Sequence, residues 1–182
     1  DALVLVAEAL GTPSASERRE RALRVLAAKV PFLRAALVAV ESDGDLRVVA
    51  SLRTVEPTAD LPESLRLALL LAGRARLTGK PVELERLTDD PALARHPETV
   101  AWALGSAIAA PARSRLVLYL DRTRATAPFA LEERRFATAL VERLALETDL
   151  PEAAPGKLAP GHLDDLDIVG QSAAVLRLRQ EI

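Results

Sequence analysis

One hairpin signal constrains the fold of this chain more than any other feature of its sequence. Residues 33–41 and 46–53 are two strand-like runs of mainly apolar residues, and Asp43-Gly44 lies in the short connection between them. An Asp-Gly pair in that position favours a tight turn, because glycine tolerates the positive φ angle that the turn requires. Arg47, Ser51 and Arg53 alternate with apolar residues in the second run. This run is therefore predicted to be a half-buried strand near the edge of an antiparallel sheet.

Two helices are predicted at the ends of the same unit. Ser14 lies three residues before Glu17, which is the spacing of a capping box and predicts a helix over residues 16–30. Residues 129–148 have a long amphipathic pattern that predicts a second helix. The apolar stripe of the first helix contains Ala22, Leu23, Leu26, Ala27 and Val30, and that of the second contains Phe136, Leu140, Val141 and Leu144. We expect the two stripes to cover one face of the sheet.

The middle of the chain is predicted to contain short strands and helices. We expect a helix from residue 62 to about residue 78, because Gly79 followed by Pro81 is typical of a helix end. Its inward-facing residues are predicted to be Leu65, Leu69, Ala72 and Leu77. Residues 81–85, 106–113 and 115–121 are predicted strands, and Asp90-Pro91 is typical of the cap and first residue of a helical turn. A short helix over residues 98–104 is predicted to end at Gly105.

Composition excludes several classes of function. The chain contains no cysteine, which removes disulfides, zinc–thiolate sites and cysteine nucleophiles. With only two histidines, we expect no metal and no prosthetic group. The formal charge of −2 argues against direct nucleic-acid binding, which usually needs a basic surface. No apolar run is long enough to span a membrane, nothing resembles a signal peptide, and we expect a soluble, cytoplasmic protein.

Known catalytic motifs are also absent from the sequence. There is no Gly-x-Ser-x-Gly elbow, no His-Glu-x-x-His helix and no dinucleotide-binding fingerprint. Without a thiol, hydrolase or transferase chemistry would depend on carboxylate, lysine or serine side chains alone. We therefore predict no catalytic residues and no enzyme activity for this chain.

The composition changes near residue 150. Residues 150–161 (LPEAAPGKLAPG) are rich in proline and glycine, which is typical of a linker. We therefore predict a folded domain over residues 1–149, a linker over residues 150–165, and the start of a second domain over residues 166–182. Because the chain begins without Met and stops within a predicted helix, we expect it to be a piece of a longer protein.

The order of predicted elements and several short phrases resemble a GAF domain, a bacterial sensory module. The resemblance covers roughly residues 2–148. The phrases are residues 35–40 (AALVAV), 78–82 (TGKPV), 104–111 (LGSAIAAP), 118–122 (LYLDR) and 128–129 (PF) followed by Glu132-Glu133. The resemblance implies an α+β fold. In that fold a central antiparallel sheet has the N- and C-terminal helices on one face and short helices and loops on the other.

This sequence departs from parts of the family pattern. Without cysteine it cannot hold a covalent bilin, and without asparagine the Asn-Lys-Phe-Asp-Glu motif of cyclic-nucleotide-responsive members cannot be intact. A haem-binding variant would need a histidine ligand; His96 is the one histidine within the domain, and we do not expect it to bind haem. Ala130 stands where the family usually has a Ser or Thr cap, which weakens the cap of the last helix.

Residues 167–176 (DIVGQSAAVL) resemble the opening of the AAA+ ATPase domain of sigma-54-dependent transcription activators. In that family, residues matching Ile168, Val169 and Gly170 lie against the adenine of a bound nucleotide. The phosphate-binding Walker loop follows later in such domains and is absent from this sequence. The resemblance therefore implies nucleotide binding only in a longer parent protein, which would contact sigma-54 RNA polymerase through domains absent here.

Together the two resemblances imply the regulatory domain of a bacterial transcription activator. Such a domain would sense a signal and control assembly of the ATPase. The helices at residues 16–30 and 130–148 are the expected homodimer contact, and a small molecule is a possible effector. Two alternatives stay open. The domain could be a ligand-free dimerisation or interaction module that relays a signal from an upstream domain, or the parent could be a histidine kinase.

The GAF resemblance implies a ligand pocket between the sheet and the short helices that cross it. It points to Trp102, His96, Tyr119 and Arg113 as ligand-binding residues, with Arg74 for an anionic effector. An alternative interpretation is that Trp102 and Tyr119 are core residues whose polar atoms have partners within the protein.

Overall fold

A five-stranded antiparallel sheet organises the part of the chain that the structure describes. This computed structural model describes residues 14–41, 43–55, 63–113 and 115–147. The strands are β1 (Arg34–Val40), β2 (Leu46–Arg53), β3 (Val82–Leu84), β4 (Leu104–Pro111) and β5 (Leu116–Thr123), in the spatial order β2-β1-β5-β4-β3. All four strand pairs are antiparallel, as predicted. The predicted linker at residues 150–165 and the segment 166–182, with Ile168, Val169 and Gly170, lie outside the described residues.

Helices cover both faces of the sheet. The helices are α1 (Ala15–Ala27), α2 (Arg66–Thr78), α3 (Pro91–Ala94), α4 (Pro97–Ala101) and α5 (Leu131–Glu147), with a 3-10 turn at Leu87–Asp89. Buried residues of α1 and α5 pack on one face of the sheet, and those of α2 and α3 pack on the other face. The predicted arrangement, with the N- and C-terminal helices on one face and short helices on the other, is confirmed.

The hairpin forms as the sequence predicts. Strands β1 and β2 pair from Arg34–Arg53 to Val40–Leu46, and Gly44 has a φ angle of 95°. Strand β1 is buried along its whole length, whereas β2 is half-buried because it is one of the two edge strands. The side chains of β5 alternate between the two apolar cores, since Leu118 lies in one and Tyr119 in the other.

Three helix boundaries follow from local hydrogen bonds or backbone angles. The side chain of Ser14 accepts a hydrogen bond from the backbone N–H of Glu17 at 3.1 Å. Asp90 caps α3 by accepting from two backbone N–H groups, and Gly79 ends α2 with a left-handed φ angle of 63°. These are the caps that the sequence predicts.

Helix α2 differs from the prediction in its start and in its buried face. It begins at Arg66, after residues 63–65, which are not helical. Its fully buried residues are Leu67, Ala68, Leu71, Ala72 and Ala75. Leu77, predicted to face inward, is 49% exposed, and Leu69 is only partly buried. Because leucine and alanine occur all round this helix, the sequence pattern does not define one face, and contact with the sheet selects it.

The prediction for Gly105 was wrong. Helix α4 ends earlier, at Ala101, and Gly105 lies within β4. The left-handed residue after the helix is Ala103, with a φ angle of 47°. A Cβ atom at Gly105 would lie 2.7 Å from the Cα of Arg124. Glycine is therefore required here by the close approach of a neighbouring backbone segment and not by a helix end.

The last helix is capped without a Ser or Thr. The backbone N–H of Ala130 donates to Oε2 of Glu133 at 2.7 Å. This contact is the carboxylate half of a capping box. Glu133 therefore satisfies one of the free N–H groups at the start of α5 although Ala130 has no side-chain acceptor.

Candidate functional site: a buried charged cluster beneath the short helices

Three charged side chains lie together inside the domain. Arg34 and Asp121 are completely buried and Glu98 is 1% exposed. Arg34 begins β1 and is the register partner of Asp121 in β5, while Glu98 projects from α4. The cluster therefore lies at one end of the two central strands.

Arg34 and Asp121 form the centre of the cluster. The Nε atom of Arg34 donates to Oδ2 of Asp121 at 2.8 Å, and the Arg34 backbone N–H donates to Oδ1 at 3.1 Å. The hydroxyl of Tyr119 also donates to Oδ2 of Asp121, at 2.7 Å. One carboxylate thus accepts from a guanidinium, a backbone amide and a phenol. These hydrogen bonds offset the free-energy cost of burying its charge.

Glu98 connects this centre to the start of α2. Its Oε2 accepts from Nη1 of Arg34 at 2.9 Å. Its Oε1 accepts from Oγ of Ser64 at 2.8 Å and from the backbone N–H groups of Arg66 and Leu67 at 2.7 and 3.4 Å. The N-cap residue of α2, Leu65, has no capping side chain. A carboxylate from another helix therefore caps α2 at its positive end.

Trp102 covers the cluster. The guanidinium carbons of Arg34 and Arg53 lie 5.3 and 5.8 Å from its ring centroid, which is cation–π distance. Trp102 is only 5% exposed. The indole is therefore buried against two guanidinium groups, one of which belongs to the cluster.

Burial and neighbouring charges shift the pKa values of Arg34, Asp121 and Tyr119. Burial opposes the charge on Arg34, but Asp121, Tyr119 and Glu98 together raise its pKa above the ordinary value. Burial raises the pKa of Asp121, with Arg34 acting in the opposite direction. Burial and the adjacent Asp121 also raise the pKa of Tyr119 well above its usual range. Arg34 is therefore a permanent cation and Tyr119 a neutral hydrogen-bond donor.

The structure brings three of the five predicted ligand-binding residues to this cluster. Tyr119 and Trp102 contact it directly. His96 caps α4, because its Nδ1 accepts from the backbone N–H of Glu98 at 3.3 Å. Burial and the cations Arg34 and Arg66 lower the pKa of His96 against the opposing effect of Glu98, so the imidazole is held in its neutral form.

The other two predicted residues lie elsewhere. Nη1 of Arg74 pairs with Oδ2 of Asp90 at 3.0 Å, beside the start of α3. Arg113 is exposed and follows β4, and its backbone N–H donates to Glu142 of α5 at 3.3 Å. Arg113 is near the end of β5 that is opposite to Asp121.

The sequence prediction missed the three charged residues that form the cluster. Arg34 precedes an uninterrupted apolar run, so it looks like a polar strand end. Asp121 follows Tyr119 by two residues on the same strand, and this spacing places both side chains on one face. Glu98 has no distinguishing signal, because an acidic residue in the first turn of a helix is common.

A cavity lies where β1 begins and β2 ends. It has a volume of about 200 Å³ and is lined in part by Phe32, Thr54 and Arg122. The guanidinium of Arg122 is already engaged, since it donates to the carbonyl of Pro31 at 2.6 Å and to Glu133 at 2.7 Å. The buried cluster is therefore the stronger candidate for a functional site.

Solved structures with the same architecture are GAF domains and related proteins. The GAF domain of a phosphoenolpyruvate-protein phosphotransferase from Coxiella burnetii matches with a TM-score of 0.61 at 16% identity, over 80% of this chain and 89% of that chain. The GAF domain of a putative sensor histidine kinase from Pseudomonas syringae pv. tomato matches with a TM-score of 0.50 at 20% identity, over 79% and 81%. The type II free methionine-R-sulfoxide reductase of Thermoplasma acidophilum matches with a TM-score of 0.56 at 19% identity, over 77% and 95%. No protein-family model and no curated protein matches the chain.

These similarities show that the chain has a GAF-like fold, as its sequence predicts. The fold occurs in signalling proteins and also in enzymes such as the reductase. Within the described ranges, no group of three or more His, Cys, Asp or Glu side chains could hold a metal ion. In the same part of the chain, no helix has the length and apolar character needed to cross a membrane.

Proposed function

We propose that this chain is the signal-sensing domain of a bacterial sigma-54-dependent transcription activator, and that it controls assembly of an AAA+ ATPase in a longer cytoplasmic parent. The GAF-like fold supports a sensory role, and the DIVGQSAAVL sequence at residues 167–176 supports the activator context. The domain itself would not be an enzyme. Its ATPase and its contact with sigma-54 RNA polymerase would belong to other parts of the parent.

The observation that carries the sensory role is the buried charged cluster. Removing two carboxylates and a guanidinium from water can cost as much free energy as their pairing returns, so stability alone does not account for the cluster. The cluster also lies on the sheet face where the resemblance predicts a ligand, next to Trp102, Tyr119 and His96. We infer that a small effector acts at this end of the sheet.

Signal output requires two conformations or dimer arrangements that bind the effector unequally. We propose that α1 and α5 form the homodimer contact that changes. Both helices cover the sheet face opposite to the cluster. Leu131 and Leu146 of α5 are 53% and 78% exposed, which supports a contact between protomers on this helix.

A second candidate function is a ligand-free dimerisation or interaction module. It is favoured by one specific observation: Tyr119 is completely buried, with its hydroxyl bonded to Asp121. In that case the cluster would be structural, and the exposed residues of α5 would carry the function.

Thermal unfolding with a panel of metabolites and nucleotides separates the two candidates. A ligand at a hundredfold excess over its Kd stabilises the folded state by about 2.7 kcal/mol. The sensory proposal predicts such a shift together with a change in sedimentation velocity. No response across the panel, with a dimer that persists on dilution, would favour the interaction module.

The activator context has its own test. The coding sequence beyond residue 182 should contain a Gly-x-x-x-x-Gly-Lys phosphate-binding loop, and the parent should hydrolyse ATP. A histidine kinase domain in that position would replace the activator proposal without changing the sensory role of the domain.

A further inference from the structure

We propose that Glu98 is an internal ligand, that is, a carboxylate of the chain that occupies an anion site, and that a small carboxylate-bearing effector can take its place. The site consists of Arg34, Ser64 and the first backbone N–H groups of α2. This inference rests on the sensory role proposed above and specifies the chemical class of the effector.

The donors around Glu98 form a complete carboxylate site. One oxygen accepts from Ser64 and from the backbone N–H groups of Arg66 and Leu67, and the other accepts from Arg34, at distances of 2.7 to 3.4 Å. They come from β1 and from the start of α2, not from α4, which carries Glu98. The donors therefore belong to a separate part of the fold, and a free carboxylate could satisfy the same groups.

Charge balance distinguishes Glu98 from Asp121. Asp121 and Arg34 neutralise each other and lie on two paired central strands. Glu98 is a second carboxylate on the same guanidinium, so its removal leaves a neutral buried pair rather than an unpaired charge. Asp121 is the permanent counter-ion, and Glu98 is the exchangeable one.

The segment that carries Glu98 is short and strained. Helix α4 has five residues, and Ala103 follows it in the left-handed region at a φ angle of 47°, which is unfavourable for a residue with a Cβ atom. A helix this short has little intrinsic stability. It is held mainly by its contacts with the rest of the domain, of which Glu98 makes four.

One buried donor of the cluster makes no hydrogen bond of acceptable geometry. Nη2 of Arg34 lies 2.8 Å from Oδ2 of Asp121 and is paired with it by charge only. Arg34 is completely buried, and buried polar atoms normally have a hydrogen-bond partner. The guanidinium thus has one donor whose hydrogen-bond capacity Asp121 and Glu98 leave unused.

The test uses Glu98→Ala, which leaves a space of carboxylate size, and Glu98→Gln, which keeps the shape and removes the charge. Thermal unfolding is measured in sodium acetate and in sodium chloride of equal ionic strength. Acetate at a tenfold excess over its Kd should raise the Tm of Glu98→Ala by about 4 °C relative to chloride. Glu98→Gln should show a smaller rise, and the wild-type chain should show none because Glu98 competes.

Glu83→Ala is the matched control, since Glu83 is a surface carboxylate paired with Arg134. It should respond equally to both salts. If neither Glu98 variant responds to acetate more than to chloride, the anion site is wrong. If Glu98→Ala folds in acetate but not in chloride, the proposal is supported. A larger response to inorganic phosphate than to acetate would overturn the carboxylate class.

The outcome also separates this inference from the proposed function. Acetate rescue of Glu98→Ala with no metabolite response in the wild-type chain would refute the sensory role and keep the anion site. A metabolite that shifts the wild-type chain and Glu98→Ala equally would keep the sensory role and refute the replacement of Glu98.

Discussion

Replacing Arg34 with methionine tests whether the buried cluster depends on one cation. Methionine keeps much of the volume of the arginine stem and removes the charge. Asp121 and Glu98, which are completely or almost completely buried, would then share no counter-ion. Breaking a buried ion pair by removing one partner costs about 3–5 kcal/mol, so we expect Arg34→Met to lose about 4 kcal/mol of unfolding free energy at pH 7.

Urea unfolding followed by tryptophan fluorescence is the assay. Trp102 is the single tryptophan of the chain and lies 5.3 Å from the Arg34 guanidinium, so it reports directly on this region. With an m value of about 2 kcal/mol/M, a loss of 4 kcal/mol lowers the unfolding midpoint by about 2 M urea. The control is Arg47→Met, because Arg47 pairs with Glu41 on the surface and is 68% exposed. It should change the midpoint by less than about 0.5 M.

The pH dependence of the unfolding free energy gives a second test of Arg34→Met. Burial already raises the pKa of Asp121 and Arg34 opposes that rise, so without Arg34 the folded-state pKa of Asp121 rises further and its protonation favours the folded state. The unfolding free energy of Arg34→Met should therefore increase as the pH falls from 7 towards 5, even if the variant is largely unfolded at pH 7. A midpoint within about 0.5 M of the wild-type value at pH 7 would refute the reasoning, as would a further loss of stability on acidification.

Three further substitutions test separate parts of the fold. Gly105→Ala should lower the unfolding free energy by about 1–3 kcal/mol, because its Cβ would lie 2.7 Å from the Cα of Arg124; an unchanged Tm would contradict this. Ala103→Gly should raise the unfolding free energy by about 1 kcal/mol in urea titration, since it removes the cost of a left-handed alanine. For His96, burial and nearby cations lower the folded-state pKa below the ordinary value of about 6.5. The neutral imidazole therefore contributes fully to the unfolding free energy above about pH 6.5, and this contribution is lost as the pH falls through the lowered folded-state pKa. The Tm of the wild-type chain should therefore fall between pH 7 and 5.5. His96→Asn, which keeps an acceptor for the backbone N–H of Glu98, should show a smaller fall in Tm. An equal fall in both proteins would contradict the role of His96 in the pH dependence.

Features that depend on neighbours in the chain could be predicted from the sequence. The Asp43-Gly44 turn, the Ser14 cap and the Gly79 helix end each involve atoms a few residues apart, and the structure confirms them. The order of such features was enough to indicate the GAF-like fold. The face of α2 was not predictable in this way, because contact with the sheet selects it.

The candidate site was only partly predictable for a related reason. Tyr119, Trp102 and His96 were expected near a ligand from the resemblance, and the structure places them at the cluster. Arg34 and Glu98 are 64 residues apart in the chain, and neither has a local pattern that indicates its partner. The pairing of charges that lie far apart in the chain could therefore be identified only from the three-dimensional structure.

The pairing of Arg34 with Asp121 also affects how the chain folds. The two residues are 87 positions apart, so the central strand pair closes one of the longest loops in the domain. During synthesis the β1–β2 hairpin can form early, but the second edge of β1 stays without a partner until β5 leaves the ribosome. Arg34 remains hydrated over that interval, and a charged residue at an open strand edge discourages pairing with other chains. We therefore expect Arg34, which is buried in the folded domain, to reduce aggregation of the nascent chain while β1 has an unpaired edge.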